Sequence, residues 1–199
     1  AASMVTHIAP MLGSRTTRET VQRAKAAGVL GLKLMLKGTS THSEYGVHDI
    51  WELREVFKEM QDVDLVLLIH GELPGYESMD AEKEFLPTLE DLSKEYPRLR
   101  IILEHITTGL GVAAVESLPE NVTGTITAHH LFLTRDDVRD AARAIIRPEN
   151  YCLPEPKMPH DREALIQAAL YSEKIGFGSD SAIHNWPLKI AAKPMPGSF

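Results

Sequence analysis

The run "DLVLLIHGE", residues 64–72, decides how this chain is read. Five consecutive apolar residues, 65–69, have the length and composition of a strand buried in a parallel sheet. The run then stops at His70. Some thirty residues on, "LRIILEHIT" (99–107) repeats the plan, with His105 at its end. Upstream, "GVLGLKLMLK" (28–37) reads as another core strand but carries Lys33 in its middle. Lysine is almost never fully buried unless something pairs with it. Downstream, "IGFGSDSA" (175–182) closes on Asp180.

The segments between these runs have helical character. "TTRETVQRAKAAG" (16–28) has Thr caps and a terminal Gly, and helices are expected over 47–61, 80–95, 109–118 and 162–174. "SMVTHIAPM" (3–11) and "VTGTITAHHL" (122–131) read as two further strands, six in all. Strand and helix alternate throughout, which defines an α/β protein with a mostly parallel sheet. A doubly wound sheet and a (β/α)8 TIM-type barrel both begin this way. Lys33, His70, His105, His130 and Asp180 each lie toward the C-terminal end of a different strand, the arrangement of a barrel mouth. An open sheet concentrates its site at one switch point, usually with a glycine-rich phosphate loop, and "GLG" at 109–111 is too short for one. The expectation is a single domain, 1–199, with about six β/α units of an incomplete barrel.

Composition narrows the class. A net charge of −7 argues against a nucleic-acid surface, and no apolar run approaches the roughly 18–20 residues that cross a bilayer. The N-terminus lacks a signal-peptide layout, and the single cysteine, Cys152, can form no internal disulfide, so a reducing, cytoplasmic location is expected.

Alone, His70 or His105 reads as a core histidine bonded to backbone. Two consecutive strands ending in histidine place two imidazoles on one rim, and neutral imidazole is a common zinc ligand. Asp180 alone is as good a helix cap as a ligand; beside two histidines it reads as a metal ligand or general base. Lys33 alone reads as a packed stem with a solvated ammonium. Desolvated at a strand end, its neutral amine adds carbon dioxide to give a carbamate that bridges two cations. His130 has a weaker claim to a place near the site, and strand alternation points His129 the other way. His184 is a loop histidine or a substrate contact. His7, His42, His48 and His160 read as surface or loop residues, and the acids of "SEYG" and "EKEF" as solvated faces.

The segments "LKLMLKGTSTHSEYGV", "LLIHGE", "LEHITT", "TITAHHL", "YCLPEPK" and "GSDSAIH" resemble, in order, the dihydroorotases of the amidohydrolase superfamily, in the branch with single-function bacterial and fungal enzymes. The resemblance covers nearly the whole chain. It implies a (β/α)8 barrel with two zinc ions, bridged by carboxylated Lys33 and a hydroxide. By the same resemblance His70 and His105 hold the more exposed zinc, and Asp180 binds the buried one and acts as general acid and base. His184 meets the substrate carboxylate, Leu153 offers a backbone contact to the pyrimidine ring, and Ser40 and Thr41 lie on a mobile loop that closes over substrate. Ser40 departs from the family's Thr. The implied partner is a small molecule, dihydroorotate or N-carbamoyl-aspartate, in pyrimidine biosynthesis, and the expected assembly is a homodimer.

No His-x-His occurs in the 199 residues, whereas the family opens with one and a nearby Arg, then an Asn. The chain therefore reads as an internal fragment without the first two barrel strands and the C-terminal helices. Alone, it is expected to bind metal weakly and turn over little. The alternatives are a hydantoinase- or dihydropyrimidinase-type hydrolase, a non-catalytic relative acting as a scaffold, and a doubly wound binding domain with fortuitous histidines.

Overall fold

The computed structural model describes residues 9–40 and 43–197. Five strands form one parallel sheet: β1 (Gly31–Leu34), β2 (Val66–His70), β3 (Ile101–Glu104), β4 (Val122–Ile126) and β5 (Ile175–Phe177). Their spatial order, β1-β2-β3-β4-β5, is their chain order. A doubly wound sheet reverses direction at a switch point. This one never does, so it is an arc of a barrel.

The expected first strand, 3–11, lies mostly outside the described residues. What is described continues the same arc: Lys33 N donates to Pro10 O at 2.9 Å and Leu12 N donates to Lys33 O at 2.8 Å, so residues 10–12 run parallel to β1. One expected strand is corrected. "VTGTITAHHL" is strand only as far as Ile126, and Ala128–Phe132 is a short helix, α5. Thr127, extended at φ −107°, turns the chain into it. His129 and His130 thus sit on successive helical positions, and strand alternation does not separate them.

Helices α1 (Arg18–Ala26), α2 (Arg54–Asp62), α3 (Ala81–Glu95), α4 (Gly109–Ser117) and α6 (Pro159–Tyr171) follow the strands, and a short α7 (Trp186–Lys189) lies near the end. In α3, Ala81, Phe85, Leu89 and Leu92 recur at spacings of four and three and are buried as one stripe. Burying each large side chain of this stripe contributes about 1.5–3 kcal/mol. In α2, Val56, Phe57 and Met60 do the same. Buried Glu59 on α2 accepts from Arg18 and Gln22, both at 2.8 Å, and ties α1 to α2.

Burial along the strands alternates, so "GLKLML" is not buried on both faces as its composition implied. Leu32, Leu34, Leu67, Ile69, Ile101 and Leu103 are buried on the helical side. Lys33, Leu68, Ile102, Glu104, Thr123 and Thr125 face the other way and are only partly covered. That second face is the concave one, and it answers the puzzle of Lys33.

Candidate active site at the mouth of the sheet

Lys33 pairs in register with Leu68, which pairs with Ile102, while His70 pairs with Glu104. From its half-buried position Lys33 reaches across β2 and forms an ion pair with Glu104. Glu104 was not singled out by sequence, although it directly precedes His105 and strand periodicity puts it on the face of Lys33.

His70 and His105 are 2% and 3% exposed, and their rings meet edge to face with centroids 4.7 Å apart. His70 Nε2 lies 2.9 Å from Glu72 Oε2, and His70 Nδ1 lies 3.1 Å from His105 Nε2. Because a carboxylate only accepts, His70 Nε2–H donates to Glu72, and its Nδ1 accepts from His105 Nε2–H. His105 Nδ1 is then a buried lone pair, and it has no partner. Behind Glu72 stands buried Lys157, 3.7 Å from Glu72 Oε1 and donating to Ser78 O at 2.6 Å. Glu72 lies in the quoted "LLIHGE", yet its orienting contact to His70 was not anticipated.

His105 has φ +46° and Asp180 φ +44°, left-handed conformations that L-residues seldom adopt. The surroundings of His105 hold it there. Its N–H donates to Thr125 Oγ1 at 3.0 Å, and the N–H and hydroxyl groups of Thr107 and Thr108 all donate to Glu82, at 2.6–2.9 Å. Glu82, in "EKEF", was expected on a solvated face. It is 2% exposed. Burial pushes its carboxyl pKa up, against its hydrogen bonds and Lys157, which pull it down.

Lys33, Ser40, His70, His105, Leu153, Asp180 and His184 all line one cavity of about 260 Å³. Cys152 and Met35 also line it. Thr41 lies outside the described residues, as do His7 and His42; His48 and His160 are exposed. Burial drives the His105 pKa well below that of free histidine, assisted by Lys33 and His70, so its ring is neutral. Burial raises the Asp180 pKa, a shift that Lys33 opposes and Glu104 reinforces.

Two imidazoles and a carboxylate form a donor set suited to zinc, and the orphan lone pair on His105 asks for a cation. The residues fit. A second group, His129, His130 and Cys152, has ligand atoms within 4.8 Å of one another. Three of the four ring nitrogens of the second group are hydrogen-bonded. His130 Nδ1 is 2.7 Å from Thr127 Oγ1 and its Nε2 3.0 Å from Pro154 O, while His129 Nε2 is 3.1 Å from the same Thr127 oxygen. Burial pushes the Cys152 thiol up to about 12. This group is a hydrogen-bonded cluster beside the cavity, which Cys152 lines.

With that geometry in place, comparison with known proteins is decisive: residues 3–190 match the amidohydrolase family. The chain belongs to the amidohydrolases. This amidohydrolase is 42% identical over 192 residues to a probable dihydroorotase of Schizosaccharomyces pombe, covering 94% of this chain and 55% of that protein. Its fold matches the crystal structure of Saccharomyces cerevisiae dihydroorotase in complex with 5-fluoroorotic acid at a TM-score of 0.86 and 33% identity, covering 94% of this chain and 56% of that one. An L-hydantoinase of Arthrobacter aurescens shares the fold at a TM-score of 0.68 and 22% identity, covering 88% of this chain and 43% of that one. The chain spans about half the length of the curated relatives it matches. Among its described residues, no helix is long and apolar enough to cross a membrane.

Proposed function

We propose that this chain carries a large part of the active site of a zinc-dependent cyclic-amide hydrolase that interconverts N-carbamoyl-L-aspartate and (S)-dihydroorotate in pyrimidine biosynthesis. The observation that carries the reading is the convergence of Lys33, His70, His105 and Asp180, from four strand ends, on one cavity. Lys33, as its carbamate, His70, His105 and Asp180 would hold two zinc ions. Bound zinc supplies a Lewis acid and water acidified to near neutral pH.

The remaining chemistry belongs to this chain's residues. In the hydrolytic direction a water oxygen bonds to the cyclic amide carbonyl carbon and the C–N bond of the ring breaks. Asp180 takes the water's proton and returns it to the leaving ring nitrogen. His184 holds the substrate carboxylate, the Leu153 backbone meets the ring, and Ser40 and Thr41 cover it, converting binding into orientation. Glu72 keeps the His70 ring in one tautomer and orientation. A homodimer in a reducing, cytoplasmic setting completes the proposal.

Sequence identities of 33% and 42% to dihydroorotases support this substrate over hydantoins, since the hydantoinase likeness speaks for the fold alone. Because the 199 residues contain no His-x-His, the isolated chain is expected to hold less than two zincs and to turn over slowly. The test is a substrate panel of dihydroorotate, hydantoin and dihydrouracil with the zinc-loaded protein. Dihydroorotate turnover that vanishes in Asp180→Asn supports the reading. Preference for hydantoin overturns the substrate assignment, and cation binding with no turnover of any of the three favours a scaffold.

A further inference from the structure

A second cavity, of about 360 Å³, shares no lining residue with the one around His70. Its charged lining consists of three guanidiniums, Arg135, Arg139 and Arg143, against two carboxylates, Glu77 and Glu155. In a chain of net charge −7 this is a local reversal of sign.

The three arginines are differently committed. Arg139, its side chain 22% exposed, is clamped: Nε and Nη2 donate to the two oxygens of Glu155, both at 2.6 Å, and Nη1 donates to Arg143 O at 2.7 Å. Arg143 pairs with Glu77 at 2.6 Å, but both side chains are about two-thirds exposed. A pair of that kind is worth only about 0–1 kcal/mol and opens readily. The half-buried Arg135 has a guanidinium with no ion pair or hydrogen bond among the described residues; its bonds are made by the backbone, the N–H donating to Lys157 O and the carbonyl accepting from Val138 N and Arg139 N. Independently, Ser78, which also lines the cavity, has a buried hydroxyl oxygen with no hydrogen-bond partner. Met79 and Met158 supply apolar wall.

An unpaired guanidinium, a second that is easily released and an orphan hydroxyl donor together ask for a ligand with several acceptor oxygens. Planar guanidinium forks suit phosphate, and the methionines suit an apolar body attached to it. We propose that this cavity binds the phosphate group of a small molecule, with Arg135, Arg143 and Ser78 as its donors and Arg139 as a fixed positive wall.

Calorimetric titration of the purified protein with inorganic phosphate and with phenyl phosphate, at ionic strength matched with chloride, tests this. Both should bind, more weakly as chloride rises. Arg135→Gln should weaken binding about tenfold, and Ser78→Ala by a smaller factor. Circular dichroism checks that both variants fold, and Ser78→Ala carries the test if Arg135→Gln does not. Tighter binding of phenyl phosphate assigns the site to a phosphate monoester; equal or weaker binding assigns it to the free anion. No heat beyond the chloride control, or binding unchanged in both variants, overturns the proposal.

Discussion

The two faces of the sheet are made from alternate residues of the same strands, yet they have opposite duties. On the helical face Leu32, Leu67, Ile69, Ile101 and Leu103 are buried among the helices and hold the arc together. On the concave face Lys33, Glu104, Thr123 and Thr125 carry polar groups that a packed core would not tolerate. The lesson is a division of labour by strand parity. Because one face suffices for packing, the other is released to hold charge, and reactive groups gather where its strands end.

The comparison predicts that substitutions on the helical side cost stability while those on the concave side cost chemistry. Phe85→Ala, which empties a fully buried site behind the sheet, should lose about 4 kcal/mol in urea unfolding. A loss below 1 kcal/mol would break the assignment of packing to that side. Glu82→Ala removes the acceptor of four buried donors at the foot of α4 and should cost about 3 kcal/mol. It should also weaken cation binding, because the clamp that holds His105 at positive φ is gone. Stability lost with unchanged cation affinity would separate the clamp from the site.

Acid should act through the neutral buried histidines. Burial pulls the His130 pKa down to about 3, whereas the unfolded chain titrates near the ordinary value of about 6.5. Between these values the unfolded state binds a proton that the folded state refuses, so stability falls as pH drops through this window. By pH 5 His130 alone should have cost about 2 kcal/mol relative to neutral pH, with His105 and His129 adding in the same direction. His130→Gln should flatten the profile of unfolding free energy against pH, and an unaltered slope would contradict its burial as a neutral ring. The smallest stability effect is expected at Lys33, whose pair with Glu104 is partly exposed on both sides. Lys33→Met should change unfolding free energy by less than about 1 kcal/mol; a large loss would make Lys33 a structural residue.

Much of this was legible in the sequence because an apolar run stopped by a polar residue survives as a local signal. His70 ends such a run, His105 and Asp180 follow one a residue or more beyond its end, and Lys33 interrupts one; the structure sets all four around one cavity. What was not legible depended on contacts distant in sequence or on local geometry. Glu82 reads as a solvated first-turn acid until Thr107 and Thr108, twenty-five and twenty-six residues away, are brought onto it. Glu104 reads as one residue of a strand until Lys33 arrives from two strands over. The strand expected through His130 failed because Thr and Ile suit a strand as far as Ile126, and the turn into α5 at Thr127 leaves no apolar break to mark it.

The most direct test of the central claim is cobalt(II) titration followed by visible absorption, in the intact protein and in Lys33→Met, His70→Ala and Cys152→Ala. The account predicts a ligand-field spectrum without a thiolate-to-cobalt charge-transfer band, weakened by Lys33→Met and His70→Ala and kept in Cys152→Ala. A thiolate band that disappears with Cys152, or binding indifferent to His70 and Lys33, would contradict it.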